Sequence, residues 1–347
     1  MPPRHHRAER VRRGFVHACC AVVALISHAS PSRAVEIAAT ESAFTLDGKP
    51  TFLLGCSYYA GLGASDDTLR RDLDAMQQHG FNWVRVWATW AAFEEDVSAV
   101  EPLTGEPRPR YMERLERLIA ECDRRAMVVN VSLSRGNGAT GPERLQGIRP
   151  HRKAVESLAR TLADHRNWYL DLSNERNIGD KRFTSVEDLS QLRDVAKARD
   201  PARLVTASHA GDPTRQEVEQ YLRTVRVDFL SVHRPRDAES PARTAGKTRQ
   251  VLAWVREIGP VVPLHYDEPF RRGFADWEPT AADFRTDLRA ARDAGAAGWC
   301  FHNGHQKSGP RGRPRRSFDL RDKPLFEQLD DEERKFLAGI RPEPAPF

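Results

Sequence analysis

Eight short, nearly continuous apolar runs punctuate the chain, starting near Thr51, Phe81, Met127, Trp168, Arg203, Val227, Pro260 and Ala297. Runs such as Met127-Val128-Val129-Asn130-Val131 do not alternate apolar with polar residues. That is the pattern of strands buried on both faces of a parallel sheet. The stretches between them carry helical periodicity instead. Tyr111, Leu115, Leu118, Ile119 and Cys122 fall on one helix face. Leu69, Leu73 and Met76 repeat the pattern behind Asp66 or Asp67 as N-cap, and further faces centre on Val155, Leu189, Val251 and Phe284. A last one covers 324–337.

Strand and helix therefore alternate through 43–340 at roughly 35 residues per unit, which predicts an α/β fold, a single (β/α)8 TIM barrel. A doubly wound open sheet is the competing architecture. Against it, Gly55-Cys56-Ser57-Tyr58-Tyr59 behind the first strand is no glycine-rich phosphate fingerprint. Ahead of the barrel, Asp47-Gly48 between apolar flanks predicts a short N-terminal β-hairpin. Residues 341–347 read as a C-terminal tail.

The formal charge of +5 changes this picture little, because it sits at one end. Residues 1–34 hold six arginines and one acid, which leaves 48 basic and 48 acidic residues of the chain's 54 and 49. The barrel segment thus gives no case for nucleic-acid binding. The first 34 residues instead predict an export signal: a basic stretch, an apolar run from Phe15 to Ile26, and Ser32-Arg33-Ala34 as a cleavage site. Arg12-Arg13-Gly14-Phe15 resembles a twin-arginine signal, with an ordinary secretory signal as the alternative. The apolar run is too short to span a membrane, so the expected location is periplasmic or extracellular. Cleavage would leave Cys56, Cys122 and Cys300, a sparse odd set that is neither a disulfide framework nor a zinc motif. Cys56 and Cys300, on neighbouring strands, are expected as small core residues.

In such barrels the site lies at the C-terminal strand ends. Those ends supply Tyr58, Tyr59, Arg85, Trp87, Trp90, Ser132, Ser134, Asn174, Glu175, Ser208, His209, His233, His265, Glu268, Trp299, His302 and Asn303. Aromatic faces stack on sugar rings while amides and imidazoles read hydroxyls, so the expected partner is an oligo- or polysaccharide. The run Trp168 to Leu172 ends abruptly in Asn174-Glu175. A carboxyl at the lip of a buried strand is poorly solvated, which raises its pKa and suits a general acid. A second edge ends at Glu268, with Asp267 beside it.

Phe81-Asn82-Trp83-Val84-Arg85-Val86-Trp87, Asn174-Glu175 and Glu268, in that order and spacing, resemble the clan of retaining glycoside hydrolases with glutamates at the ends of strands four and seven. Cellulase-like family 5 is its best-known branch. The resemblance implies Glu175 as acid/base, Glu268 as nucleophile, Asn174 as the partner of the sugar 2-hydroxyl, Arg85 as the cation that keeps Glu268 ionised, and Trp299 as the aromatic platform. It implies no cofactor and no metal. Two positions depart from the family's pattern. Arg176 stands where proline usually follows the acid, although an adjacent strand residue should face away. The tyrosine expected on strand six is replaced by Val232-His233-Arg234, so Tyr266 or His233 would serve beside the nucleophile. Alternation admits only one of Asp267 and Glu268 to the lumen, and position favours Glu268. Two rival readings use the same frame. His209, His233, His265 and His302, with Glu175 or Asp171, could ligate a metal for hydrolysis or isomerisation, though no HxH or HExxH spacing is present. Alternatively the barrel keeps a sugar cleft without turnover.

Overall fold

Each of the eight apolar runs becomes one parallel strand of a barrel in the computed structural model, which describes residue 1 and residues 34–92, 95–136, 141–274, 276–303 and 318–340. The chain divides into Met1–Arg33 and Ala34–Phe347. The signal-like segment 2–33, the basic run Lys307 to Arg316 and the tail 341–347 lie outside the described residues. Among the described residues no helix is long and apolar enough to cross a membrane.

The strands are β1 (Leu53–Ser57), β2 (Trp83–Trp87), β3 (Val128–Ser132), β4 (Trp168–Asp171), β5 (Val205–Thr206 and Ser208–Ala210), β6 (Leu230–His233), β7 (Leu264–Tyr266) and β8 (Gly298–Phe301). They pair in sequence order and β8 returns to β1, Cys300 opposite Gly55. Closure comes at β5, which is broken at Ala207. Its first segment pairs with β4 and its second with β6. Side chains complete this seam. Asp171 accepts the Ser208 backbone N–H at 3.0 Å, Asp228 accepts that of Val205 at 2.7 Å, and Thr206 Oγ1 donates to the Phe229 carbonyl at 2.8 Å.

Strand alternation sorts the core into two. Outward residues such as Val84, Val86, Val129, Val131, Leu170, Val232 and Phe301 pack under the helices. Those helices are α1 (Asp66–Gln78), α2 (Pro109–Asp123), α3 (Ile148–Thr161), α4 (Val186–Arg199), α5 (Arg215–Glu219), α6 (Ser240–Ile258), α7 (Ala281–Asp293) and α8 (Asp331–Gly339). Inward residues Leu53, Trp83, Val128, Tyr169, Phe229 and Cys300 form a separate cluster in the lower lumen. Large rings fit there because glycines face them. A Cβ on Gly55 would lie 1.8 Å from the Trp83 carbonyl oxygen, and one on Gly298 would lie 2.6 Å from the His265 ring.

The predicted hairpin closes the bottom of this lumen. Strands Ile37–Ala39, Phe44–Leu46 and Lys49–Thr51 form an antiparallel sheet, and Asp47 and Gly48 both take positive φ (50° and 78°), the turn that an Asp-Gly pair favours. Phe44 is fully buried, edge-on to Phe229 at 4.9 Å and to His265 at 5.7 Å. The three cysteines are free and buried, with Cys56 in the outer core and Cys300 in the lumen cluster.

Helix boundaries depart from expectation in three places. Ser65, one residue before the expected aspartates, caps α1 by accepting from Thr68 N–H at 3.1 Å, while Asp66 and Asp67 occupy the first turn. α5 continues into a wider turn over Gln220–Val225, with a Thr214–Glu217 capping box as its only short-range signal. The last predicted helix splits into a single turn at Leu325–Glu327 and α8.

Phe44 is fully buried in the lower lumen cluster, so Phe44→Ala should destabilise the chain by about 3–5 kcal/mol. Urea denaturation would measure it, and a loss under 1 kcal/mol would show that the hairpin is dispensable to the barrel.

Candidate active site

Above the apolar cluster the lumen turns polar, and its centre is Arg85 on β2. This side chain is fully buried, so its guanidinium needs protein partners in place of water. It donates to Ser132 Oγ at 3.1 Å, Asp171 Oδ2 at 2.9 Å, Asn174 Oδ1 at 2.7 Å and Glu268 Oε2 at 2.7 Å, with Asp267 Oδ2 at 3.7 Å from Nε. Burial alone would lower its pKa. The carboxylates of Asp267, Glu268 and Asp171 more than reverse this, so Arg85 stays cationic.

Glu268 lies just past the end of β7. Besides Arg85 it meets Arg236 Nη2 at 2.5 Å, His302 Nε2 at 3.0 Å and the Tyr59 hydroxyl at 3.3 Å. Burial pushes its carboxyl up, but His302, His233 and Arg236 hold it well below the usual range. His302 is itself pushed down to about 3 by burial, so it faces Glu268 as a neutral ring. Its Nδ1 lies 2.8 Å from Ser57 Oγ, which leaves Nε2 to carry the proton toward the carboxylate.

Glu175 follows β4 in the left-handed region, φ 50°, a conformation that costs a non-glycine residue about 1–3 kcal/mol. The backbone is pinned on both sides. Asn174 N–H reaches the Leu133 carbonyl at 2.8 Å, Glu175 N–H reaches Ser208 Oγ at 3.1 Å, and Arg176 N–H reaches the Ser208 carbonyl at 3.2 Å. The carboxyl does not stand free of cations, contrary to expectation. Arg182, gripped by Asp180, donates to Glu175 Oε2 at 2.6 Å. His233 Nδ1 lies 3.3 Å from Oε1 and Arg236 Nη2 lies 3.5 Å from it. Burial and the Glu268 charge raise the pKa of Glu175, yet His233 and Arg236 outweigh them and the net shift is downward. In this state Glu175 is ionised. The neighbouring Arg176 turns away, its Nε on Tyr221 Oη at 2.9 Å.

His233 joins the two glutamates. Its Nδ1 is 3.3 Å from Glu175 and 3.4 Å from Glu268, and its Nε2 is 3.4 Å from Asp267. Burial would lower its pKa, but Glu268 and Asp267 raise it to about 9 even with Arg85 Nη1 at 3.2 Å from Nε2. Among the described residues neither Asp267 oxygen makes a short hydrogen bond, and the carboxylate is held between Arg85 at 3.7 Å and His233 at 3.4 Å. Asp267 and Glu268 both approach Arg85, because β7 ends at Tyr266 and strict alternation ends with it.

Of the residues expected here, Arg85, Trp87, Asn174, Glu175, His233, Glu268 and His302 come together. Trp87 stacks on Tyr59 with ring centroids 4.0 Å apart and lies 4.6 Å from the Arg85 guanidinium, and among the described residues its buried indole N–H has no hydrogen-bond partner. Tyr266 and Trp299 do not join them. Both side chains leave the outer face of the barrel: Tyr266 Oη meets Thr248 on α6 at 2.8 Å, and Trp299 Nε1 donates to Asp287 on α7 at 2.7 Å. Tyr58 likewise points out to Asp72 on α1. The strand-end histidines do not converge either. His265 sits in the lower cluster, and His209 bonds Tyr221 Oη at 3.1 Å. Glu175, His233 and Glu268 do bring ligand-type atoms within 4.8 Å of one another, but Arg85, Arg182 and Arg236 already occupy their oxygens. Sequence reasoning passed over Arg182, Arg236 and Arg271 because they lie on loops, and gave Tyr59 no role beside Glu268.

No protein-family model matches the sequence, and no curated protein matches it. Solved structures do match its backbone. A glycoside hydrolase family 5 protein from Bacteroides vulgatus ATCC 8482 aligns over 88% of this chain and 70% of its own, with a TM-score of 0.63 at 15% identity. The endo-1,4-β-D-mannanase of Thermotoga petrophila RKU-1 aligns over 82% and 99%, at 0.56 and 16%. A β-glucuronidase from an uncultured Clostridium species aligns over 87% of this chain at 0.57 and 14%, and the chain spans 53% of that protein. Another B. vulgatus structure aligns at 0.64, with this chain spanning 57% of its length. The chain has the (β/α)8 barrel fold of these glycoside hydrolases.

Arg182 favours the charged form of Glu175, so Arg182→Gln should raise the pKa of that carboxyl. A carbon-13 NMR titration of the glutamate side chains would follow it, and an unmoved Glu175 would show that Arg236 and His233 alone set its charge.

Proposed function

We propose that this chain is a retaining glycosidase acting on a β-linked glycan or glycoside by double displacement, without a cofactor. One observation carries the reading: the carboxylates following β4 and β7 have oxygens within 4.8 Å of each other and share His233 and Arg236. Retaining hydrolases hold their two carboxyl groups about 5–5.5 Å apart, close enough for one to attack the anomeric carbon while the other serves the leaving group.

Glu268 is ionised and ringed by donors, the state a nucleophile needs. Glu175 would protonate the leaving oxygen and later deprotonate water. Its ionised resting state matches the second role directly. For the first it must carry a proton, and Arg182 and Arg236 are the groups that a bound substrate would have to displace. Once Glu268 becomes a neutral ester its repulsion of Glu175 disappears, which favours the carboxylate again for hydrolysis. Asn174 Oδ1 is committed to Arg85, so its amide N–H is what it would present to the sugar. The Arg182–Glu175 pair also favours a second reading, a barrel that binds glycans without turnover.

Aryl β-glycosides of the manno and gluco series head the assay panel, since the backbone neighbours include mannanases and a β-glucuronidase. Glu268→Gln and Glu175→Gln should each lower turnover by about 10²–10⁴. Azide should restore activity to Glu175→Ala with retained stereochemistry. Wild-type turnover that survives both substitutions would remove the two-carboxylate mechanism, and glycan binding without turnover would select the binding reading.

The N-terminal segment extends the proposal to location: residues 1–34 direct export and are removed at Ser32-Arg33-Ala34. N-terminal sequencing of the protein from a secreting host should begin at Val35, and an intact Met1 in the cytoplasmic fraction would contradict it.

A further inference from the structure

Arg271, on the loop after β7, is 7% exposed, yet its guanidinium has only neutral partners. Nη1 lies 3.5 Å from the Tyr59 hydroxyl and 3.3 Å from the Asn303 carbonyl, and the group sits over the Tyr59 ring at 5.8 Å and the Phe274 ring at 4.9 Å. Among the described residues no carboxylate comes within ion-pair distance of it. Around the same barrel mouth Arg85, Arg182, Arg234 and Arg236 each touch one. Arg176 is also without one, but it is directed at Tyr221 and away from the glutamates. A buried guanidinium is costly to keep without a counter-ion, and burial depresses the pKa of Arg271 as that cost implies.

Its place says where the counter-ion would come from. The Tyr59 hydroxyl that contacts Arg271 also bonds Glu268 Oε1 at 3.3 Å, so the guanidinium is one hydroxyl away from the nucleophile. Phe274 carries Arg236 at 4.3 Å as well as Arg271, so two guanidiniums flank one ring beside Glu268. A neutral sugar is read by hydroxyls and amides and gives a buried cation nothing to neutralise. The planar fork of a guanidinium instead fits a carboxylate or a sulfate through paired hydrogen bonds.

We infer that the sugar ring held against Glu268 bears a negatively charged substituent, and that Arg271 binds it with Arg236. The inference rests on the proposed glycosidase site and names its substrate class: an acidic glycan carrying either a uronic carboxylate or a sulfate ester. Such an anion competes for Arg236, which now spans Glu268 and Glu175, and its binding loosens the hold on both catalytic carboxyls.

The test is calorimetric binding of matched sugars to the whole chain, with kcat/KM on their p-nitrophenyl forms. The sugars are methyl β-glucuronide, β-galacturonide and β-mannuronide, the corresponding neutral glycosides, and their 6-O-sulfates. At least one charged member should bind ten- to a hundredfold more tightly than its neutral partner. Whether it is a uronide or a sulfate identifies the anion. Arg271→Gln should bring that ratio close to one, and Arg271→Lys, which keeps the charge, should retain part of it. Equal binding of charged and neutral members by the wild type, no binding of any charged sugar, or an unchanged ratio in Arg271→Gln would overturn the inference. Wild-type preference for the charged sugar without turnover of any glycoside would sink the glycosidase reading and leave this one standing. Turnover of neutral glycosides with no charge preference would do the reverse.

Discussion

A guanidinium cut off from water must find its solvation in the protein, and Arg85 finds it in groups from β3, β4 and the end of β7 at once. Removing one partner from a buried ion pair costs on the order of 3–5 kcal/mol, because the other charge is left unsolvated. Asp171, Asp267 and Glu268 are in that position with respect to Arg85. The polar lumen is thus one electrostatic unit laid over an apolar floor of Phe44, Trp83, Tyr169 and Phe229. The glutamates emerge above that floor, following β4 and β7.

Glu175 is set differently. Its left-handed backbone is maintained by hydrogen bonds to Leu133 and Ser208 on the flanking strands, and its carboxyl is shared among Arg182, His233 and Arg236. Glu268 has Arg85 at its back and His233 at its side, both buried. The cations on Glu268 belong mostly to the barrel, while those on Glu175 come mostly from loops.

The sequence made the barrel legible because strands buried on both faces leave a signal that survives without their partners. It also fixed which inner face carries the chemistry, since Arg85, His233 and His302 sit at strand ends with the parity of lumen residues. That parity was enough to exclude Trp299, three residues from His302 and so on the opposite face, and Tyr266, one residue from His265. The family resemblance drew attention to both, and the period of two was the better guide. Arg182, Arg236 and Arg271 were not legible. They act from loops whose course depends on tertiary contacts such as the Asp180 clamp and the Phe274 ring. The raised pKa expected for Glu175 failed because burial does push it up, but His233 at the end of β6 and Arg236 from the following loop reverse it.

The break in β5 ties closure of the barrel to the charge state of its interior. At this seam the Asp171 carboxylate holds Ser208 across from β4 while its other oxygen holds Arg85. Burial raises the pKa of Asp171, so its ionised form depends on Arg85 remaining beside it. The same aspartate is therefore both a latch on the barrel wall and a counter-ion in the cleft. Amide exchange along 205–210 becomes an outside readout of what happens within: anything that draws Arg85 from Asp171 slackens the wall at the point where Ser208 carries the backbone of Glu175.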